Sequence, residues 1–330
     1  MSRSRRIRIE VQEGDVLEFP ADVLALKYAQ SLYGADLAVY ELLSESGREA
    51  LPLPSVNAFK FISTEGIIAP ENVLFVGVPP LRQFRYQQIR EFGRNVLISL
   101  AVQAPLTKHL ALTIHGPGYG LDEVEAFQSE VAGVLDAIAT DDYPLDLSII
   151  SFVERNHGRS ERLKDVLGEL IPGGIIDRGK QMLDNLGEQP KDTLRTAGYT
   201  SAGKPRVFVA MPFADSMDDL FHYGIQGAVN AAGFLCERAD ISSFVGDVME
   251  WVKQRITGAT LVIADLSTAN PNVYLEVGYA WGCGRPTVLL VRDTAKLEFD
   301  ARGQKCLTYK SIRHLEEILC KELKALEEAS

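Results

Sequence analysis

Cysteine is scarce and scattered in this chain. The four, Cys236, Cys283, Cys306 and Cys320, form no C-x-x-C pair, so neither a zinc knuckle nor a disulfide framework is indicated. Long apolar runs are missing too, since no stretch approaches the ~18 to 20 residues of a membrane helix. The basic opening Arg3-Ser4-Arg5-Arg6 leads into an alternating strand pattern, not a signal-peptide core. The expectation is a cytoplasmic protein without a membrane partner. Basic residues are outnumbered, 34 Lys and Arg against 45 Asp and Glu for a formal net charge of −11. No phosphate-neutralising face is concentrated anywhere, so nucleic acid is not expected as a partner. His115, His157 and His222 lack ligand spacing, which reads as packed or surface histidines and no metal. Nor is there a repeat of fixed period, which argues against a solenoid.

What remains is a chain of 330 residues and 46% hydrophobic content, enough for two ordinary domains with a core each. In the first half, residues 7–11, 23–26, 73–78, 109–114 and 147–153 read as strands. Residues 34–44, 84–103 and 121–138 read as helices; in the last, Val124, Phe127, Val131, Val134, Leu135 and Ile138 recur at helical spacing. Periodicity fades over 156–204, which holds Pro172-Gly173-Gly174 and small polar residues. This stretch is expected to be a linker with one short helix over 161–170. Domains are therefore expected at 1–155 and 205–330.

The second half alternates strands at 207–210, 260–265 and 287–291 with helices at 217–232, 245–257 and 273–282, the signature of a parallel, doubly wound sheet. Such sheets bind ligands where their strands end. There the segment Ala264-Asp265-Leu266-Ser267-Thr268-Ala269-Asn270-Pro271-Asn272 passes from strand to helix. Asn270 is a good N-cap and Pro271 fits the first helical position. Glu276 then falls in the second turn, on the face of Asn272. Between Asp265 and Arg285 it is the only charged side chain, whereas a solvated helix face carries several. Two readings are open: a functional carboxylate near a strand end, or a lone Glu at a helix edge or paired with Arg285. The segment Met211-Pro212-Phe213 likewise reads either as an apolar lip for a base or as a packed strand end.

Several ordered motifs carry a resemblance: Val207-Phe208-Val209-Ala210-Met211-Pro212-Phe213, Arg238-Ala239-Asp240, Ala264-Asp265-Leu266, Asn270 to Ala280 and Gly284-Arg285-Pro286-Thr287-Val288. Together they resemble the nucleoside 2-deoxyribosyltransferase-like branch of the TIR-related superfamily. The resemblance implies a flavodoxin-like sheet and a catalytic role for Glu276 at the anomeric carbon of a nucleotide. It further implies that Asp265 and Asn270 hold ribose hydroxyls, with Asn272, Asp240, Met211 and Phe213 in the same binding pocket.

In the first half, Glu13-Gly14-Asp15-Val16 and Leu112-Thr113-Ile114-His115-Gly116-Pro117-Gly118-Tyr119-Gly120 resemble the opening and the glycine-rich phosphate loop of macro domains. A three-layer α/β fold is implied, with Asp15 on an adenine and Gly116, Gly118, Tyr119 and Gly120 around ribose and diphosphate. The run Leu26-Lys27-Tyr28-Ala29-Gln30 replaces an asparagine-rich segment, which argues against ADP-ribosyl hydrolase activity. The N-terminal domain of an aminopeptidase is a related resemblance and implies no nucleotide. Asp122, Glu123 and Glu125 suit a helix N-terminus but oppose a nearby phosphate.

These readings imply a homo-oligomeric, ligand-regulated effector of the bacterial antiviral defence kind. Its first domain would take a nucleotide activator and its second would hydrolyse NAD, as substrate and not cofactor. A cationic nicotinamide leaves without protonation, and no second acid stands out for a neutral base. Nucleoside deoxyribosyl transfer and a non-catalytic nucleotide-binding signalling protein are the alternatives.

Overall fold

In a computed structural model of the chain, residues 6–45, 52–115, 120–178, 185–198, 203–212, 214–238, 248–293 and 306–328 are described. Two compact units emerge, the first from Met1–Gly116 and Val124–Thr200, the second from Pro117–Glu123 and Ser201–Ser330. Both are α/β, as the alternation of periods predicts.

The first unit runs β1 (Arg6–Glu13), β2 (Val23–Tyr28), α1 (Ala35–Glu45), β3 (Phe59–Ser63), β4 (Asn72–Gly77), α2 (Tyr86–Gln103), β5 (His109–Thr113), α3 (Glu123–Ala139), β6 (Ile149–Glu154), α4 (His157–Leu170), β7 (Ile175–Asp177) and α5 (Glu188–Thr196). Its seven-stranded sheet has the order β3-β4-β2-β5-β6-β1-β7. The inner strands are parallel, and β3 and β7 join antiparallel at the edges. Val23, Leu24, Ala25 and Leu26 are all buried, because a strand inside a parallel sheet is covered on both faces and reads as a continuous apolar run. Leu24, Leu26, Val73 and Phe75 pack with Val39 and Leu43 of α1. Helices α2 and α3 meet through glycine: a Cβ on Gly133 would clash with the Arg90 carbonyl, and one on Gly93 would stand 2.5 Å from the Glu130 carbonyl.

Residues 156–204, expected to be linker around one helix, carry three elements instead. Asn156 caps α4 by accepting from the Arg159 amide at 2.9 Å, so the helix starts ahead of the expected 161. Strand β7 adds to β1 by antiparallel pairing of Ile176 with Ile7. It spans three residues, too few for a period to register.

The second unit runs β8 (Arg206–Ala210), a π-helical turn Leu220–Gln226 continuing as α6 (Gly227–Ala231), β9 (Leu235–Arg238), α7 (Val248–Gly258), β10 (Leu261–Asp265), α8 (Pro271–Gly282), β11 (Thr287–Arg292), β12 (Cys306–Tyr309) and α9 (Ile312–Glu328). Its five-stranded sheet, order β12-β11-β10-β8-β9, is parallel throughout. Val207, Val209, Ile263 and Leu290 pack with Ile225, Val229, Leu315 and Leu319 on one face. Phe208, Ala210, Val262 and Leu289 pack with Val252, Ile256, Val273 and Val277 on the other. The sheet is therefore doubly wound, as expected. Among the described residues no helix is long and apolar enough to cross a membrane.

Candidate active site in the second unit

In the second unit β8 and β10 are neighbours, and the chain leaves them for helices on opposite faces. Such a switch point opens a crevice at the carboxyl ends of the strands. Asp265 is the last residue of β10, and Met211 directly follows β8.

Asp265 is 1% exposed and bonded on both oxygens. Oδ1 accepts the Ser267 amide at 2.9 Å and Oδ2 accepts the Tyr309 hydroxyl at 2.9 Å. Ser267 Oγ lies 3.2 Å from that hydroxyl and accepts the Arg292 amide at 2.9 Å. The polar groups thus tie the β10 end to β11 and β12 and pin the loop that enters α8. Burial raises the Asp265 carboxyl above its usual range, opposed by the bonds from Ser267 and Tyr309. Burial and the adjacent Asp265 push the Tyr309 hydroxyl up in turn. Ser267, Arg292 and Tyr309 escaped the sequence reading; Tyr309 stands 44 positions from Asp265.

Asn270 caps α8 as predicted, its side chain accepting the Asn272 amide at 2.9 Å, with Pro271 opening the helix. Val273, Glu276, Val277 and Ala280 form the buried stripe of that helix. Glu276 is 8% exposed and has no hydrogen-bond or ion-pair partner among the described residues, Arg285 included. Burial alone pushes its carboxyl up to about 7. Of the two open readings, the exposed or Arg-paired glutamate is not what the structure contains. A buried, unpaired carboxyl costs stability, because its ionised form loses hydration without gaining a partner.

The remaining expected residues are dispersed. Asn272 is exposed, so it shares the first turn of the helix with Asn270 but not the buried stripe of Glu276. Met211 is 2% exposed and belongs to the core packed by Ile225 and Leu319, which corrects the apolar-lip reading: its side chain fills the interior at the strand end. Phe213 and Asp240 lie outside the described residues.

In the first unit Asp15 closes a turn, Oδ1 accepting the Leu17 amide at 2.9 Å while Oδ2 stands 3.6 Å from an Arg155 nitrogen. Gly116, Gly118 and Tyr119 lie outside the described residues. Gly120, expected in a first-domain phosphate loop, counts with the second unit, where its amide donates to the Cys236 carbonyl at 2.9 Å. Its φ of +75° requires glycine. That donation caps the outer edge of β9, a use of the backbone N–H that the glycine spacing did not announce. Lys27 forms a buried pair with Asp36 at 2.6 Å. His115 is buried against Phe84 and Phe92, and burial, with Lys27 and Arg159 nearby, holds its imidazole well below the usual range. His157 pairs with Glu13 and His222 with Gln226.

No family model and no curated protein matches this chain. Among solved structures it is similar to a CMP N-glycosidase, BcmB, of Clostridium botulinum at 19% identity, covering 36% of this chain and 98% of that one, with a TM-score of 0.31. It is also similar to a Trypanosoma brucei macrodomain in complex with ADP, at 14% identity over 49% of this chain and 69% of that one, TM-score 0.39. A third is an Oceanobacillus iheyensis macrodomain with MES bound, at 13% identity over 52% of this chain and 96% of that one, TM-score 0.36.

Proposed function

We propose that the second unit cleaves the N-glycosidic bond of a nucleotide, with NAD as the first-choice substrate and Glu276 as the catalytic carboxylate, nucleophile or stabiliser of the electron-poor sugar carbon. The supporting observation is a single one: a carboxyl buried among Val273, Val277 and Ala280, without a partner, on the helix that starts at the carboxyl end of a central parallel strand. Natural folds rarely retain an uncompensated buried carboxyl unless a ligand supplies the compensation. A nicotinamide riboside carries the needed positive charge at the reacting centre. In this reading the bond from C1′ to the pyridinium nitrogen breaks and its electron pair neutralises the leaving base. The Glu276 carboxylate stabilises or captures the electron-poor sugar carbon, and water then adds there, releasing ADP-ribose and a proton.

The cation also lowers the carboxyl's pKa on binding, so Glu276 enters the reaction ionised. The free enzyme's kcat/KM is expected to fall as pH drops below about 7, where Glu276 becomes protonated. The same half-protonated state at neutral pH favours a second reading, deoxyribosyl transfer, since a neutral base departs more easily with a proton donor beside it. Incubation with NAD, with a nucleoside monophosphate, and with a deoxynucleoside plus free base, resolved by chromatography, separates these. Glu276→Gln is expected to reduce product release on the order of a thousandfold or more. Full activity in that variant removes Glu276 from the mechanism, and ligand uptake without product in the parent protein favours a binding role. In the regulated form of the proposal a nucleotide held by the first unit switches this activity, so ADP-ribose-type and cyclic nucleotides belong in the same assay.

A further inference from the structure

In a parallel sheet all strands end on one side, and the last residues of β8 to β12 are Ala210, Arg238, Asp265, Arg292 and Tyr309. Most of the polar ones are engaged. Arg238 donates to Asp218 at 3.0 Å and lies 4.3 Å from the centre of the Phe221 ring. Asp265 and Tyr309 are bonded to each other. Arg292 is the exception: it is exposed, and its guanidinium has no hydrogen-bond or ion-pair partner among the described residues, the adjacent Asp293 included. A guanidinium beside a carboxylate ordinarily closes on it. Asp265 stands close enough to feel Arg292, yet its oxygens are already taken by the Ser267 amide and the Tyr309 hydroxyl.

The backbone beneath Arg292 is fixed, because its amide donates to Ser267 Oγ at 2.9 Å in the loop that enters α8. The guanidinium stands 5.9 Å from the centre of the Tyr309 ring. Leu290 and Tyr309 belong to the core on the α6 and α9 face, and Arg292, two residues beyond Leu290, rises on that same side. Helix α8, which carries Glu276, packs on the opposite face through Val273 and Val277. The carboxyl and the guanidinium thus reach the strand ends from opposite sides of the sheet. Burial is the sole influence on Glu276, so Arg292 is not its counter-ion.

We infer that Arg292 is a specificity-determining residue that holds the phosphate of the substrate, so that the second unit takes phosphorylated nucleosides in preference to nucleosides. The inference rests on the glycosidic reading of Glu276, because the anion nearest the anomeric carbon of a nucleotide is its 5′-phosphate, one ribose away. A planar guanidinium with free N–H groups matches a phosphate with two parallel bonds. A chain with a formal net charge of −11 repels such an anion at long range, and an unengaged cation at the strand ends supplies the local attraction.

Titration calorimetry on the full chain carrying Glu276→Gln, which blocks turnover in that reading, compares nicotinamide mononucleotide with nicotinamide riboside and deoxycytidine monophosphate with deoxycytidine. In at least one pair the phosphorylated member is expected to bind about tenfold tighter or better, the gain of one charge-assisted contact. Adding Arg292→Gln is expected to bring the two members of that pair within about twofold by weakening the nucleotide alone, while Arg292→Lys keeps part of the preference. No preference for phosphate in either pair, a preference that survives Arg292→Gln, or an equal loss of nucleotide and nucleoside would each overturn the inference. An Arg292-dependent preference, with no base released from any of the four by the parent chain, would instead sink the glycosidase reading alone and leave a phosphate-reading nucleotide site.

Discussion

Glu276 sets a conflict between stability and use that can be measured. A carboxyl whose folded pKa lies above its unfolded one favours the folded state only while protonated. That contribution is full below about 4.5 and is lost as pH rises through about 7. The difference corresponds to roughly 3 kcal/mol. Glutamine at 276 cannot ionise, so Glu276→Gln is expected to match the parent near about pH 4 and to exceed its stability by roughly that amount near about pH 8. Urea unfolding of both proteins at the two pH values checks it; a constant difference would mean that the carboxyl is already compensated. The opposite case is Asp265, compensated by Ser267 and Tyr309. Tyr309→Phe strips one donor from a buried carboxylate and is expected to cost about 1 to 3 kcal/mol in the same measurement. Of these residues Glu276 was legible in sequence, because a lone charge in an apolar helix is a local anomaly. Tyr309 was not, because its meeting with Asp265 depends on β11 and β12 pairing in parallel register.

At the scale of elements, legibility followed length and burial. Strands β2, β4, β6, β8, β10 and β11 announce themselves as apolar runs because both faces of a parallel sheet are covered. Edge strands lack that signature: β3 exposes Phe59, and β7, β9 and β12 are three or four residues long. Helix α9 was missed although Leu315, Leu319 and Leu323 mark its buried stripe at a spacing of four. The glycine pair joining α2 and α3 was equally silent, since a helical glycine reads only as a weak helix former until its neighbour is known. Gly133→Ala, which improves helix propensity, is nevertheless expected to destabilise the first unit by about 2 to 3 kcal/mol, because α2 and α3 must separate to admit the methyl group. Thermal unfolding followed by circular dichroism decides between the two effects: a raised midpoint would mean that propensity wins and that the helices have room to part.

For the molecule as a whole, the boundary between units is not a single point in the chain. Pro117–Glu123 counts with the second unit although it connects β5 to α3 of the first. Within the second unit the Gly120 amide bonds the Cys236 carbonyl on the edge strand β9, and Lys204 pairs with Asp122 at 2.6 Å. Asn230 also donates to Glu123 at 3.3 Å. Glycine spacing suggested a phosphate loop that included Gly120; in the fold the Gly120 amide bonds the backbone of an edge strand. A chain beginning at Ser201 lacks all three contacts. Both tryptophans, Trp251 and Trp281, lie in that fragment, so their fluorescence reports the second unit in the fragment and in the full chain alike. The urea midpoint of the fragment is expected to fall below that of the full chain by the equivalent of about 2 to 5 kcal/mol, the sum expected for one neutral hydrogen bond, one hydrogen bond to a carboxylate and one partly buried ion pair. Equal midpoints would show that 117–123 adds nothing to the second unit, and the two halves would then be separable where the composition changes.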